Sequence, residues 1–188
     1  MFTSTPDWST LPVPEDDGAA RHLPGLPMPS IPLAATDGST VDLSSLAGRA
    51  VLFAYPRTGV PNQPNPPGWD RIPGARGCTP QACAFRDRYA ELRSLGVAHL
   101  YGLSTQDTAC QREMATREHL PFPMLSDEHF ALTRVLRLPT FETSGMTLLK
   151  RLTLILHDGV IEHVFYPVFP PDQNAADVAS WIRSRLAL

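Results

Sequence analysis

Three cysteines are the side chains in this sequence best suited to covalent chemistry. Cys78 and Cys83 lie five residues apart, and Cys110 stands alone further along the chain. Three cysteines in 188 residues are too few for a disulfide scaffold, and the sequence opens without a secretory pattern. Catalytic or redox chemistry is therefore the use that the sequence favours for them.

Cys78 follows a glycine at the predicted start of a helix. Thr79 as the N-cap and Pro80 at the first helical position are the start signals, and Gly96 is the stop signal. Unpaired backbone N–H groups and the helix dipole favour negative charge at such a start, which stabilises a thiolate, the nucleophilic form of cysteine. An inert cysteine in an apolar core is the alternative, but the position of Cys78 favours a reactive thiol.

The spacing of Cys78 and Cys83 sets a geometric condition on any bond between them. Five residues of intact helix separate two Cα atoms by roughly 8.5 Å, whereas a disulfide tolerates at most about 7 Å. A bridge would therefore require the helix start to unwind. Cys83 could equally pack within the helix face without reacting. Cys110 is expected to be a buried small apolar residue, with a third redox thiol as the alternative.

The elements that would position the cysteines alternate between strands and helices. The predicted strands are Ile31–Ala35, Thr40–Leu43, Ala50–Tyr55, Val97–Leu103, Arg151–His157 and Val160–Tyr166. Helices are predicted from Thr79 to Gly96, from Thr105 to before Pro121, from Ser126 to before Pro139, and around Val178, Ile182 and Leu186. This order predicts a thioredoxin-like α/β fold, with a mixed central sheet, helices on both faces and an N-terminal β-hairpin. Ligands of such sheets gather at the carboxyl ends of strands, so chemistry is expected between Ala50–Tyr55 and Cys78.

Proline marks two segments outside the periodic elements. Residues 1–30 predict a Pro-rich arm that is extended and partly mobile, and residues 31–188 predict a single domain. A second Pro-rich stretch, at about residues 57–76, lengthens the loop before Cys78. A connection of this length in a compact domain indicates either function or disorder.

Composition and charge exclude several function classes. The net charge of −3, without a block of like charges, is not that of a dedicated nucleic-acid binder. No apolar run approaches the roughly 18 residues that span a membrane. The histidines are scattered, so no metal site is predicted, and nothing indicates haem, flavin or another cofactor. Without a secretory signal, the expected location is the cytoplasm.

The segment around the first two cysteines resembles a known family. Gly77-Cys-Thr-Pro-Gln-Ala-Cys-Ala-Phe-Arg-Asp87 is similar to the peroxidatic motif of the peroxiredoxins, in their bacterioferritin-comigratory (peroxiredoxin Q) branch. The likeness spans roughly residues 25–186 and includes Tyr55-Pro56, Gly102-Leu-Ser-Thr105, Leu125-Ser126-Asp127 and Arg151-Leu-Thr-Leu154.

This resemblance implies a thioredoxin-dependent peroxidase of the oxidoreductase class. Cys78 would be the peroxidatic thiolate, which attacks hydrogen peroxide or an alkyl hydroperoxide and becomes a sulfenic acid. Cys83 would be the resolving cysteine, forming an intramolecular disulfide that thioredoxin or a similar dithiol reduces. Arg151 would stabilise the thiolate and the negative charge that develops on the peroxide oxygens. A monomer or weak homodimer is expected.

The sequence departs from the family pattern ahead of Cys78. The family has a proline seven residues before the peroxidatic cysteine and a threonine or serine three residues before it. Here the residue three positions before Cys78 is Ala75. The proline at the end of the preceding strand, Pro56, lies 22 residues before Cys78, so the Pro-rich stretch interrupts the motif. Thr58, close after Pro56, is the candidate for the missing hydroxyl, and Thr58 and Pro56 are the expected substrate-binding residues. Trp69, inside the insertion, is expected either to line the substrate pocket or simply to pack against the surface of the domain.

Two other functions fit the same fold. A protein disulfide oxidoreductase is disfavoured, because such enzymes pair cysteines two residues apart that can bridge without unwinding. A non-enzymatic thiol redox sensor or partner-binding module would share every feature of the sequence. Only multiple turnover with peroxide and a reductant separates such a sensor from a peroxidase.

Overall fold

Apolar runs of the sequence form the centre of a seven-stranded mixed sheet in the computed structural model, which describes residues 6–186. The strands are β1 (Pro32–Ala35), β2 (Thr40–Asp42), β3 (Arg49–Ala54), β4 (Val97–Ser104), β5 (Met124–Ser126), β6 (Thr140–Thr143), β7 (Met146–Leu149), β8 (Leu152–His157) and β9 (Val160–Phe165). Their order in the main sheet is β2-β1-β5-β4-β3-β8-β9, while β6 and β7 form a separate hairpin. The β3–β4 and β4–β5 pairs are parallel and the others antiparallel. Because both faces of β3 and β8 are covered, nearly every residue of these strands is buried.

Helices cover both faces of this sheet. They are α1 (Cys78–Asp87), α2 (Tyr89–Ser94), α3 (Thr108–Arg117), α4 (Ala131–Leu136) and α5 (Asn174–Leu186). Phe53 of β3 faces a core shared with α1, α3 and α5, and its neighbour Leu52 faces a second core shared with α4. This alternation is the period of two that a strand between two layers requires. The predicted mixed α/β sheet with helices on both faces is confirmed.

The start of α1 differs from the prediction. Thr79 is not the N-cap, because Gly77 holds that position with φ 102°, a left-handed conformation that glycine adopts most easily. Cys78 is consequently the first helical residue. The single helix predicted to run to Gly96 is also broken at Arg88 (φ −102°, ψ 9°), which separates α1 from α2.

Two further helix starts were predicted too early, and in both cases an aspartate accepts hydrogen bonds from the first turn of the helix. Asp107 accepts a hydrogen bond from the backbone N–H of Cys110 at 2.7 Å, so α3 begins at Thr108 rather than Thr105. Ser126 ends β5 instead of starting a helix. The carboxylate of Asp127 accepts hydrogen bonds from the backbone N–H groups of Leu132 and Thr133, in the first turn of α4, which begins at Ala131.

The segment predicted to be an extended arm contacts the domain over much of its length. Leu23 and Met28 are buried in the core, and the N–H of Met28 donates to the carbonyl oxygen of Gly159 at 2.7 Å. Nearer the terminus, Trp8 Nε1 donates to Asp172 Oδ2 at 2.9 Å. The first five residues of the arm and the last two of the domain lie outside the described residues, and the division into arm and domain stays a prediction.

No helix within residues 6–186 is long and apolar enough to cross a lipid bilayer.

Candidate active site

Cys78 lies where the fold allows only a glycine beside it. A Cβ atom on Gly77 would come within 2.6 Å of Pro171 Cγ and 2.8 Å of the ring of Trp8. The chain therefore turns sharply at Gly77, and α1 begins next to the side chains of Pro171 and Trp8. Cys78 becomes the first residue of the helix, with a side chain that is 5% exposed. Its thiol is near the unpaired N–H groups of the first turn, which favour negative charge.

Arg151 provides a cation next to this sulfur. Its Nη2 donates to Cys78 Sγ at 3.3 Å, and its side chain is buried. The same nitrogen also lies 3.1 to 3.4 Å from three backbone carbonyl oxygens of the loop before α1, those of Gly74, Ala75 and Arg76. Among the described residues, no carboxylate bonds to this guanidinium. Its positive charge is therefore available to stabilise a thiolate on Cys78.

A buried polar network fixes the direction of the guanidinium. Arg151 Nη1 donates to Gln81 Oε1, and Gln81 Nε2 donates to Asn174 Oδ1 at 2.9 Å. The hydroxyl of Thr153 donates to the same Asn174 oxygen at 2.7 Å. Sequence reasoning missed Gln81 and Asn174. The available signal was Gln81 itself, a polar residue on the otherwise apolar, buried stripe of α1.

Cys78 and Thr58 line one cavity of about 480 Å³. Thr58 is held there by Gln106, whose Oε1 accepts from the backbone N–H of Thr58 at 2.8 Å and from its hydroxyl at 3.2 Å. Gln106 Nε2 donates in return to the carbonyl oxygen of Thr58 at 3.1 Å. Pro56, the other predicted substrate-binding residue, is buried and is not among the residues that line the cavity.

The Pro-rich insertion forms much of the cavity wall. Residues 57–63, Asn65 and Trp69 line it, opposite the first turn of α1. Trp69 is only 4% exposed and lies near Phe141, with ring centroids 6.3 Å apart. Trp69 therefore lines the pocket, which is the first of its two expected positions, and does not lie exposed on the surface.

Cys83 is half-buried on α1 and faces the end of α3. Its Sγ donates to Glu118 Oε2 at 3.4 Å. Burial, reinforced by the negative charge of Glu118, raises the pKa of the Cys83 thiol to about 11. Because α1 is intact from Cys78 to Asp87, both cysteines are free thiols in this structure.

Cys110 differs from its expected burial, since it lies half-exposed on the first turn of α3. Gln106 Nε2 donates to its sulfur at 3.0 Å. Burial, followed by the charge of Asp107, raises the pKa of this thiol. Among the described residues, no three histidine, cysteine or acidic side chains are grouped as metal ligands would be.

Comparison with known proteins identifies the family. Residues 23–180 match the Redoxin family model. Peroxiredoxin Q of rice (Oryza sativa subsp. japonica) is 30% identical over 189 residues, which cover 97% of this chain and 79% of the rice protein. This chain is a peroxiredoxin of the Q branch. The predicted enzyme class, a thiol-dependent peroxidase, is confirmed by this membership.

Solved structures share the fold of this peroxiredoxin. Peroxidoxin BcpB of Mycobacterium tuberculosis has a TM-score of 0.70 at 24% identity, covering 87% of this chain and 98% of that one. A second structure is that of the bacterioferritin comigratory protein of Xanthomonas campestris, which was studied for its alkyl peroxide reduction activity. It has a TM-score of 0.68 at 20% identity, and the match covers 94% of this chain and 98% of that one. The predicted thioredoxin-like fold is thereby confirmed.

The predicted cytoplasmic location is wrong. The rice protein and further curated peroxiredoxin Q relatives from plants are named chloroplastic, and this finding contradicts the expected cytoplasmic location. The sequence argument failed because it considered only the secretory route and took the cytoplasm as the default. A low cysteine count fits any reducing compartment.

Proposed function

We propose that this peroxiredoxin reduces hydrogen peroxide and alkyl hydroperoxides at Cys78, with Cys83 as the resolving cysteine and thioredoxin or a similar dithiol as the reductant. The observation that carries the proposal is the 3.3 Å hydrogen bond from the buried guanidinium of Arg151 to Cys78 Sγ. A cation aimed at a sulfur on a helix N-terminus supports a thiolate, and a thiolate is what cleaves an O–O bond.

The first step transfers one oxygen atom from the peroxide to sulfur. The Cys78 thiolate attacks the terminal oxygen of R–O–OH, the O–O bond breaks, and the products are Cys78–SOH and RO⁻, which takes up a proton to leave as ROH. Sulfur is oxidised by two electrons and the peroxide is reduced by two. Arg151 stabilises the charge that moves from sulfur onto the leaving oxygen, and the hydroxyl of Thr58 holds the peroxide in the shared cavity.

The second step joins the two cysteines. The Cys83 sulfur attacks Cys78–SOH, an S–S bond forms, and the hydroxyl group leaves as water with the proton of the Cys83 thiol. Intact helix keeps the two Cα atoms roughly 8.5 Å apart, so the first turns of α1 must unwind and Cys83 must leave Glu118. The dithiol then reduces the disulfide by exchange and is itself oxidised.

The assembly that we propose is a monomer or weak homodimer. Its support is the distribution of the large apolar side chains that stand exposed among the described residues. They are spread over the N-terminal segment, α4, β9 and α5 rather than belonging to one element: Val13, Leu26, Val135, Val160 and Leu186. Sedimentation velocity at several concentrations tests the assembly.

The roles of the cysteines are tested by peroxide consumption with thioredoxin, thioredoxin reductase and NADPH. We expect Cys78→Ser to abolish consumption, and Cys83→Ser to give one fast turnover and then stop. Cys110→Ser is the matched control and should consume many equivalents of peroxide per chain. Multiple turnover by Cys78→Ser would contradict the proposed mechanism, and a wild-type chain that stops after one equivalent would identify a redox sensor instead.

A further inference from the structure

The cavity beside Cys78 is positively charged. Three arginines line it, Arg57, Arg76 and Arg117, and no aspartate or glutamate is among its described lining residues. Two of these cations are already neutralised by partners outside the cavity wall. Arg76 pairs with Asp70 at 3.2 Å, and Arg117 pairs with glutamates of its own helix and of the helix cap.

Among the described residues, Arg57 is the arginine of the cavity wall that has no charged partner. Within residues 6–186 its guanidinium makes neither an ion pair nor a hydrogen bond, although its side chain is half-buried. It lies instead over the ring of Trp69, with Cζ 5.7 Å from the ring centroid. An arginine held on an aromatic face keeps its N–H donors directed outward, where they can bind a carboxylate with two parallel hydrogen bonds.

The size of the cavity exceeds what hydrogen peroxide needs. Its volume is about 480 Å³, within the roughly 300–1,000 Å³ of pockets that bind drug-sized ligands. Part of the wall is apolar and could pack against a hydrocarbon group: Val60, Pro61, Trp69 and Pro80. The cavity therefore combines the sulfur of Cys78, an apolar wall and one cation without a charged partner among the described residues, which suits a substrate with a hydroperoxide at one end and an anionic group at the other.

We propose that the preferred substrates are organic hydroperoxides that carry a carboxylate, and that Arg57 binds this carboxylate while the hydroperoxide reaches Cys78. The inference rests on the proposed function, because it assumes that Cys78 is the reacting thiol. The O–O bond is cleaved as described above and the carboxylate is unchanged by the reaction. Arg57 thus acts in substrate selection rather than in the oxygen transfer itself.

A competing explanation is that the arginines only raise the general reactivity of Cys78. In that case loss of Arg57 slows the reaction with every peroxide by the same factor. Two substrates of nearly equal shape separate the explanations: cumene hydroperoxide, which is neutral, and its derivative with a carboxylate at the para position. The ratio of their kcat/KM values cancels any change in thiol reactivity.

For the wild-type protein with its reductant, we expect the carboxylate derivative to be preferred by about tenfold, since a hydrogen bond to a charged group contributes that much. Arg57→Gln should bring the ratio close to one, mainly through a higher KM for the carboxylate derivative. Arg71→Gln is the matched control, because Arg71 is an exposed arginine of the same insertion that does not line the cavity. It should keep the wild-type ratio.

Equal kcat/KM values for the two substrates in the wild type, or an unchanged ratio in Arg57→Gln, would overturn the inference and leave the peroxidase proposal intact. Failure of the wild type to reduce any peroxide, hydrogen peroxide included, would overturn the proposed function itself. Raising the salt concentration provides a second readout, since it should lower the preference for the anionic substrate without affecting the neutral one.

Discussion

Cys83 Sγ and Glu118 Oε2 are 3.4 Å apart, joined by a hydrogen bond from the thiol to the carboxylate. Glu118 caps the end of α3, and its backbone carbonyl accepts a second hydrogen bond, 2.7 Å long, from Arg86 of α1. These two contacts join α1 to the end of α3. The thiol that we propose for resolution is therefore anchored in the reduced protein, and it must be released before a disulfide can form.

The anchor predicts a pH dependence for Cys83. Burial and Glu118 raise the pKa of this thiol to about 11, so little thiolate is present at pH 8. Glu118→Gln keeps a hydrogen-bond acceptor but removes the negative charge, and it should lower the pKa. Below the pKa, a decrease of one unit should speed alkylation about threefold, since the thiolate fraction rises tenfold while its nucleophilicity falls. The measurement is the rate of iodoacetamide labelling from pH 7 to 11, with Cys78 and Cys110 replaced by serine.

Glu113→Gln is the control for this experiment. Glu113 pairs with the same Arg117 as Glu118 does, but the structure shows no contact with Cys83. The pH profile of the Glu113→Gln variant should match that of the protein in which only Cys78 and Cys110 are replaced. If Glu118→Gln also leaves the profile unchanged, the carboxylate does not control the ionisation of Cys83.

Arg151 is predicted to control the rate of the first oxidation. Arg151→Gln removes the cation beside Cys78 and should slow the reaction with hydrogen peroxide about 100-fold, the usual loss for one charge-stabilising donor. Arg151→Lys keeps the charge but not the planar donors, and its rate should lie between those of the wild type and Arg151→Gln. Stopped-flow tryptophan fluorescence measures the rates, and far-UV circular dichroism checks that both variants fold. A folded Arg151→Gln protein with the wild-type rate would contradict this role.

Thr58 is predicted to hold the peroxide through its hydroxyl. Thr58→Val preserves the shape of the side chain but removes the oxygen, and should lower kcat/KM for hydrogen peroxide by about tenfold, the value of one hydrogen bond to a charged species. Thr58→Ser keeps the hydroxyl and should stay close to the wild type. Steady-state kinetics with thioredoxin measures both. Equal losses in the two variants would mean that packing, not the hydroxyl, is what matters at this position.

Gly77 is predicted to be irreplaceable for a steric reason. Gly77→Ala combines a left-handed backbone, which costs roughly 1–2 kcal/mol, with contacts under 3 Å to Pro171 and Trp8. Gly96→Ala has a comparable positive φ of 86° but open space around the added methyl group. Urea denaturation should show a larger loss of unfolding free energy for Gly77→Ala, by about 1–3 kcal/mol for overpacking. Equal losses would show that Pro171 and Trp8 do not restrict the side chain at position 77.

The sequence predicted six of the seven strands of the main sheet, because its central strands are strongly apolar and the last two are joined by an Asp-Gly turn. It missed β5, which has only three residues. It failed at the β6–β7 hairpin, whose strands are only partly buried and carry no regular alternation. It also failed at the helix starts, since a threonine before a proline looks like an N-cap unless the steric demand on Gly77 is known. Helix boundaries depend on such tertiary contacts more than on local residue preference.

The candidate site was predicted in part. Cys78, Cys83 and Arg151 were predicted from the motif, and the structure brings Arg151 against Cys78. The contact of Cys83 with Glu118 could not be predicted, because the two residues belong to separate helices whose packing follows from the sheet. Gln81 and Asn174 were missed for the same reason, since they meet only when α5 packs on α1.

The proposed two-cysteine mechanism is tested most directly by mapping the disulfide that forms. Reduced protein is treated for a few seconds with one equivalent of hydrogen peroxide, the remaining thiols are alkylated, and peptides are analysed by mass spectrometry. We predict a peptide pair linked through Cys78 and Cys83, lighter by two hydrogens, with Cys110 alkylated as a free thiol. Unchanged thiols at Cys78 and Cys83, or a link from Cys78 to Cys110, would contradict the mechanism.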